Sequence, residues 1–427
     1  MKKDILQRII SDFHAAPPAD LHRRDLDVPT GSGKIVTLVG SRRSGKTSLL
    51  LTLMEALAQG GLPRTSLLYL NFEDERLDFR TEELDLIIQA FLELYPSVKL
   101  DACHLFFDEI QNVPGWDRFV RRLYDTVTRN IYLTGSNARF LSSEIATSLR
   151  GRTVSYEVLP LSFREYLRFR NVAADAGTTR AQALVRRELG RFLTVGGFPE
   201  VIGYEEEFRN RVLQEYFNVM IYRDLLERYE IDNLPALKFF LKRLCASATK
   251  PFSVNAIYND LKSSGFKLGK NQLYDWLEAC RNIHLAFVLK KPSAAATERE
   301  LGEKKVYLVD NGLVNAISYR FSEDRGKALE QAIYLELRRR GRDLFFYRGK
   351  GKCDFVLRRD TKVVEAIQVS ASLDDPETRR REERGLVECC RAFGLKRGTI
   401  ITGESAQERK VEGIAIRVVP AAEWLLG

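Results

Sequence analysis

The stretch IVTLVGSRRSGKTSLLLTLMEALAQ (35–59) decides the fold. It opens on five mostly apolar residues in a strand pattern and closes on an apolar run of helical length. Between them GSRRSGKT (40–47) fits the spacing G-x-x-x-x-G-K-[ST]. Glycines at 40 and 45 let backbone N–H groups close around a phosphate, and the helix that follows turns its positive end toward the same anion. Lys46 then brings charge to the β- and γ-phosphates, and Thr47 offers a hydroxyl to Mg²⁺. The whole turn, Gly40, Ser41, Arg42, Arg43, Ser44, Gly45, Lys46, Thr47 and Ser48, is the expected cradle for ATP. A second glycine-rich string, GSGK (31–34), has no apolar strand before it and reads as a turn.

Outward from this loop, residues 35–159 alternate short apolar runs with helical ones, which predicts a parallel sheet flanked by helices. Strands are expected at 35–39, 66–72, 104–107, 131–134 and 153–159, with helices at 46–59, 81–94, 116–128 and 138–149. HLFFDEI (104–110) is an apolar run ending in two acids, as at the carboxyl edge of a buried strand. Asp108 is placed to join the Mg²⁺ shell, and Glu109 to orient or deprotonate an attacking water. YLTGSN (132–137) ends in small polar residues, of which Ser136 and Asn137 can reach the γ-phosphate or the water; a plain turn is the alternative.

The order of loop, acidic pair and polar strand end resembles the AAA+ superfamily of ATPases. Residues 20–230 resemble a prokaryotic family within it through GSRRSGKT, YLNFED (69–74), LFFDEIQ (105–111), YLTGSNARFL (132–141), LRGR (149–152), LSFREYL (161–167), GGFPE (196–200) and YRDLLER (222–228). That resemblance implies an ATPase core over 1–160 and a helical lid over 161–234, where the helical period dominates and 207–229 reads as one long charged helix. It also implies an arginine that completes a neighbouring subunit's site, for which Arg150 and Arg152 match. The alternative is that they pair within the chain. An arginine acting in trans implies a ring or filament of identical chains.

Net charge is +9, and residues 236–292 carry ten Lys/Arg against three Asp/Glu, so most of the excess sits in one segment. Residues 235–300 read as a winged-helix-like module of two or three short helices followed by IHLAFVL (283–289), with a low-complexity patch at 294–297. GKNQLYDWLEACR (269–281) is its recognition-like helix, with Lys270, Gln272 and Tyr274 at the start. Lys262, Lys267, Lys290 and Lys291 are candidate DNA phosphate contacts. Leu273, Trp276 and Leu277 have the spacing of core residues, and a protein-docking helical domain is the alternative reading of the module.

Residues 301–427 read as a second α/β unit, opening on a strand at 306–310. It resembles a domain of unknown function (numbered 4143) that follows such ATPases, which in turn resembles the restriction-endonuclease fold. The nuclease pattern maps onto Glu330, Asp354, Gln368 and Ser370. An amide and a hydroxyl stand where the pattern wants an acid and a lysine, so the site reads as vestigial and nuclease activity is not expected.

The fold class expected is thus α/β: a P-loop, AAA+-like parallel sheet with a helical lid, a winged-helix-like middle module and a restriction-endonuclease-like α/β end. No run reaches the roughly 18 apolar residues of a membrane span. The start MKKDILQRIISDFH lacks the apolar region of a secretory signal, and six cysteines without CxxC spacing suit a reducing cytoplasm. The expected function is an oligomeric Mg²⁺-dependent ATPase acting on DNA by remodelling, translocation or branch migration. The alternative is a nucleotide-regulated switch that binds a protein partner.

Overall fold

The structure is a computed structural model that describes residues 2–17, 21–136, 149, 151–174, 177–292, 302–317, 324–403 and 406–427. The chain divides into two units, Met1–Val158 with Asn282–His284, and Leu159–Arg281 with Leu285–Gly427.

The first unit is built on five parallel strands, β1 (Ile35–Val39), β2 (Leu67–Asn71), β3 (His104–Asp108), β4 (Ile131–Gly135) and β5 (Thr153–Glu157), in the order β2-β3-β4-β1-β5. β1, β3 and β4 are buried along their whole length, as strands covered on both faces must be. Alternate residues point to opposite faces. Ile35, Val39, Leu68, Leu70, Leu105, Phe107, Ile131 and Leu133 pack with α1 (Lys2–Ala15), α3 (Asp85–Leu94) and α4 (Trp116–Thr126). Val36, Leu38, Leu67, Phe106 and Tyr132 pack on the other side with α2 (Lys46–Gln59). The expected helix at 138–149 falls almost wholly outside the described residues. α1 was not expected from the sequence; it buries Leu6 and Ile10, four residues apart, against α3 and β2.

The second unit begins with α5 (Phe163–Phe169). The motif LSFREYL is a capping box: the Ser162 hydroxyl accepts from Glu165 N–H at 3.1 Å, and the Glu165 carboxylate accepts from Ser162 N–H at 2.8 Å. α6 (Thr179–Val195) and α7 (Glu206–Val219) follow, and α7 continues as a π-helical segment over Met220–Glu227, where one long helix was expected. Three further helices, α8 (Leu234–Ala246), α9 (Val254–Ser263) and α10 (Lys270–Asn282), accompany a small antiparallel sheet of β6 (Pro251–Phe252), β7 (Ala286–Lys290) and β8 (Lys304–Leu308). This corrects the expected boundary at 300/301. β8 does not open the last unit; it lies between β6 and β7 and completes the sheet of the middle module. The patch at 294–297 lies outside the described residues.

After α11 (Asn311–Ile317) and α12 (Arg325–Arg339), six strands form the last sheet in the order β13-β14-β12-β11-β10-β9. They are β9 (Asp343–Arg348), β10 (Lys352–Arg359), β11 (Lys362–Val369), β12 (Arg397–Thr402), β13 (Gln407–Val411) and β14 (Ile414–Pro420), with α13 (Pro376–Ala392) packed on them and α14 (Ala421–Leu426) at the end. β13 was missed in the sequence because QERKV is a charged edge strand, mostly exposed and paired only with β14.

A buried aspartate holds α6 to the residues after β8. Asp310 accepts from Gly197 N–H at 2.6 Å and Leu313 N–H at 3.0 Å. Gly196 is needed beside it: its φ is +81°, and a Cβ there would stand 2.1 Å from the carboxylate. This is the physical content of the glycines in GGFPE. Burial pushes the Asp310 carboxyl up to about 6 from its usual 3.8, although the backbone donors pull it down. Folding therefore favours the protonated acid, whose contribution is full below about pH 4 and gone above about pH 6. Urea unfolding should show the stability of the native chain falling relative to Asp310→Asn by roughly 3 kcal/mol across that window. A flat difference would contradict the burial argument.

Candidate nucleotide site

The strand order sets the site. In the order β2-β3-β4-β1-β5 the chain leaves β1 toward β2 at one edge and later leaves β4 past β1 to β5 at the other, and such a reversal opens a crevice at the carboxyl edge. The registers Val39↔Gly135, Phe107↔Leu133 and Asn71↔Asp108 bring Gly40, Asp108 and Ser136 to that edge together.

The loop between β1 and α2 is held from three sides. Gly40 passes so close to β5 that a Cβ would lie 2.2 Å from the Val158 carbonyl oxygen, so no other residue fits. Gly45 precedes α2 with φ +96°, and Arg43 is also left-handed at φ +64°. The buried Arg24 donates to the Ser44 carbonyl at 2.9 Å, and Arg42 pairs with Glu73 of the YLNFED motif at 2.8 Å. The hydroxyl oxygens of Ser41, Ser44 and Ser136 are buried with no hydrogen-bond partner. Three orphaned hydroxyls at one crevice suit a ligand rich in oxygen acceptors, because leaving them unmet costs about 1–3 kcal/mol each.

The charges are organised around Lys46. Its ammonium donates to the carbonyls of Gly40 at 3.2 Å and Ser41 at 3.0 Å, and lies 3.7 Å from the Glu109 carboxylate. Lys46, Asp108 and Glu109 are all buried. Asp108 accepts from Thr47 at 2.8 Å, from Tyr69 at 3.2 Å, and from the Thr134 hydroxyl on its other oxygen. Burial raises the Asp108 carboxyl above its ordinary value, although the hydroxyls of Thr134 and Thr47 pull the other way. Glu109 behaves oppositely. Burial pushes its carboxyl up, but the Lys46 ammonium, the Gln111 amide and Arg42 outweigh that and leave it below the ordinary value. Ser136 assists only by proximity, since its hydroxyl meets no hydrogen-bond geometry.

The backbone of Glu109 is left-handed, at φ 50° and ψ 39°, a conformation that costs about 1–3 kcal/mol in a residue with a side chain. Its N–H is held by Thr134 Oγ1 at 2.9 Å. Thr134 thus donates to one acid of the pair and fixes the backbone of the other. The donor set fits Mg²⁺ with a triphosphate: one carboxylate and one hydroxyl side by side, with phosphate oxygens to supply the rest.

Of the other expected positions, Asn137 and Arg150 lie outside the described residues. Arg152 forms a two-pronged pair with Asp125 of α4 at 3.0 and 3.1 Å, the within-chain arrangement that stood as the alternative. In the middle module Leu273, Trp276 and Leu277 are buried as expected. Lys262, Lys267, Lys270 and Lys291 are exposed and Lys290 is half-buried. The ammonium groups of Lys270 and Lys304 flank the Tyr274 ring at 6.0 and 5.9 Å. Gln272 accepts from Gly269 N–H at 3.0 Å and so caps its own helix, which turns it away from the base-reading expectation.

In the last unit Glu330 and Asp354 do come together, around a cation the sequence did not offer. Lys305 of β8 donates to Asp354 at 2.8 Å and to Glu330 at 3.0 Å, and the Tyr307 hydroxyl donates to Glu330 at 2.7 Å. Burial alone would lower the Lys305 ammonium, but the two carboxylates overcome it and hold the lysine charged. Gln368 bridges the Asp354 N–H to Glu382, and Ser370 donates to the Ser372 carbonyl.

An AAA-domain family matches residues 32–167, and a domain of unknown function (DUF8612) matches residues 186–324. The second match is not the domain numbered 4143, and it stops short of the last sheet. The uncharacterised protein MJ1544 of Methanocaldococcus jannaschii is 35% identical over 388 residues, covering 89% of this chain and 84% of that protein. An uncharacterised protein of Haemophilus influenzae is 28% identical over 393 residues, covering 92% of this chain and 94% of its own length. Among solved structures, the Walker-type ATPase PABY2304 of Pyrococcus abyssi aligns with 71% of this chain and 99% of its own at 17% identity and a TM-score of 0.42.

The Lys305 cluster yields a stability prediction. Lys305→Met leaves two buried carboxylates without a cation and should cost about 3–5 kcal/mol in chemical unfolding. Adding Glu330→Gln and Asp354→Asn should return most of that loss, whereas additive losses would show that the three do not act as one group.

Proposed function

We propose that this chain, which belongs with MJ1544 to an AAA-domain family of P-loop ATPases, hydrolyses ATP at the Gly40–Ser48 loop in a Mg²⁺-dependent reaction directed at DNA. The observation that carries the reading is the buried group in which Thr47 meets Asp108 while Lys46 keeps Glu109 ionised. Lys46 would exchange two loop carbonyls for phosphate oxygens, and Thr47 and Asp108 would hold the metal ion. Mg²⁺, when bound, neutralises phosphate charge and orients the terminal phosphoryl group. Glu109 would position a water and accept its proton as the oxygen attacks.

The DNA assignment rests on the middle module. Three helices with a small antiparallel sheet support the winged-helix reading, in which α10 would be the recognition-like helix. Lys270 and Tyr274 remain its candidate contacts, with Lys262, Lys267, Lys290 and Lys291 for phosphates. Assembly into a ring or filament is part of the proposal, with Arg150 as the residue acting in trans. The last sheet, with helices α12 and α13, is proposed as a restriction-endonuclease-like fold without nuclease activity.

The second reading is a nucleotide-regulated switch that binds a protein partner, in which turnover would be slow and indifferent to DNA.

Steady-state ATP turnover with Mg²⁺, alone and with single-stranded, duplex and branched DNA, separates the two. Stimulation by one DNA form supports the DNA-directed reading; slow turnover indifferent to all three supports the switch. Lys46→Ala should abolish tight ATP binding. Glu109→Gln should bind ATP but lose on the order of 10²–10⁴ in turnover. Full turnover in Glu109→Gln would remove that residue from the mechanism.

A further inference from the structure

A cavity of about 580 Å³ lies beside the Lys305 cluster, where the small sheet of β6 and β8 meets the last sheet, and is lined by eight Lys/Arg side chains against three Asp/Glu. The three acids are already satisfied. Glu330 and Asp354 share Lys305, and Glu382 takes the Gln368 amide at 2.6 Å and Arg381 at 2.6 Å. Several of the bases are not. Among the described residues, the side chains of Lys250, Lys350, Lys352 and Arg384 form no hydrogen bond or ion pair.

The turn that presents two of these bases is held in place. RGKGK (348–352) joins β9 to β10, and the Glu388 carboxylate of α13 accepts from Lys350 N–H at 2.8 Å, Gly351 N–H at 2.6 Å and the Tyr347 hydroxyl at 2.9 Å. The backbone is pinned while the two ammonium groups remain available. A wall of unpaired cations on a fixed turn is an anion site, and its pre-organisation removes part of the ordering cost of binding.

We propose that this cavity binds a single nucleic-acid strand through its phosphates, with no metal ion. Lys305 already supplies the cation between Glu330 and Asp354, so the acids present no open place for one. Bases drawn from the β9–β10 turn, α13 and the approach to β6 are spread across several positions, which suits successive phosphates better than one. A volume of about 580 Å³ is in the range of small-ligand pockets, which admits the sugar-phosphate units of one strand and does not enclose a duplex, whose major groove alone is ~12 Å wide.

This inference does not rest on ATP turnover, and its test uses none. A short fluorescent oligothymidylate is titrated into the full chain in EDTA without nucleotide. Binding should survive the chelator, and Lys350→Ala with Lys352→Ala and Arg384→Ala should weaken it at least about tenfold. The same triple change should flatten the salt dependence by about 2, near 0.7 for each phosphate of the strand that is no longer neutralised. Arg384→Lys in place of Arg384→Ala should retain part of the affinity, and unfolding midpoints report that each variant folds. Loss of duplex binding in Lys262→Ala with Lys267→Ala tests the middle module by its own readout, so this inference and the middle-module assignment fail separately. Unchanged affinity in the triple variant, binding lost in EDTA, or displacement by inorganic phosphate as effective as by unlabelled strand would each overturn the proposal.

Discussion

Lys46 and Glu109 face each other across 3.7 Å in a setting where neither charge reaches bulk water, and the organisation of the nucleotide site depends on that pair. A lone buried carboxylate would rather be protonated, and a protonated Glu109 could not take a proton from water. The lysine reverses this preference. The same ammonium lies against the two carbonyls that shape the loop, so one cation serves both the loop and the acid. Asp108, one residue away, is held by hydroxyls instead and feels burial as its dominant influence. Adjacent acids thereby acquire opposite tendencies, the usual sign that two carboxylates have been given different tasks.

The last unit uses a similar device to another end. Lys305 lies between Glu330 and Asp354 at hydrogen-bonding distance from both, completing a cluster that the carboxylates alone would leave open. At the loop the lysine lies on two backbone carbonyls; around Lys305 the acids are closed and the unpaired cations stand outside them, on the RGKGK turn and on α13. Among the described residues the chain thus buries a lysine–carboxylate group in each unit, at Lys46 and at Lys305.

Much of the first unit was legible because its signals are local. GSRRSGKT lies between a strand and a helix, HLFFDE shows a buried strand ending in two acids, and β1 and α2 fall on the expected residues. The missed residues act through topology. Thr134 sits inside the apolar strand IYLTG and looks like any β-branched filler; its link between Asp108 and Glu109 exists only because β4 lies between β1 and β3. Arg24 belongs to no motif, and reaches Ser44 only once the chain has folded back. Lys305 was hidden because KKVYLVD reads as the start of a new unit, whereas pairing with β6 and β7 is what turns its side chain toward Glu330. Asp310 likewise explains GGFPE only after residues 113 apart meet.

The most direct measurement of the central claim is a crystal structure of the full chain with Mg²⁺ and a non-hydrolysable ATP analogue. The account predicts that Lys46 leaves the carbonyls of Gly40 and Ser41 for phosphate oxygens, that Thr47 and Asp108 part to admit the ion, and that the hydroxyls of Ser41, Ser44 and Ser136 gain partners. A nucleotide bound with Lys46 still on those carbonyls, or with the three hydroxyls still unmet, would contradict it.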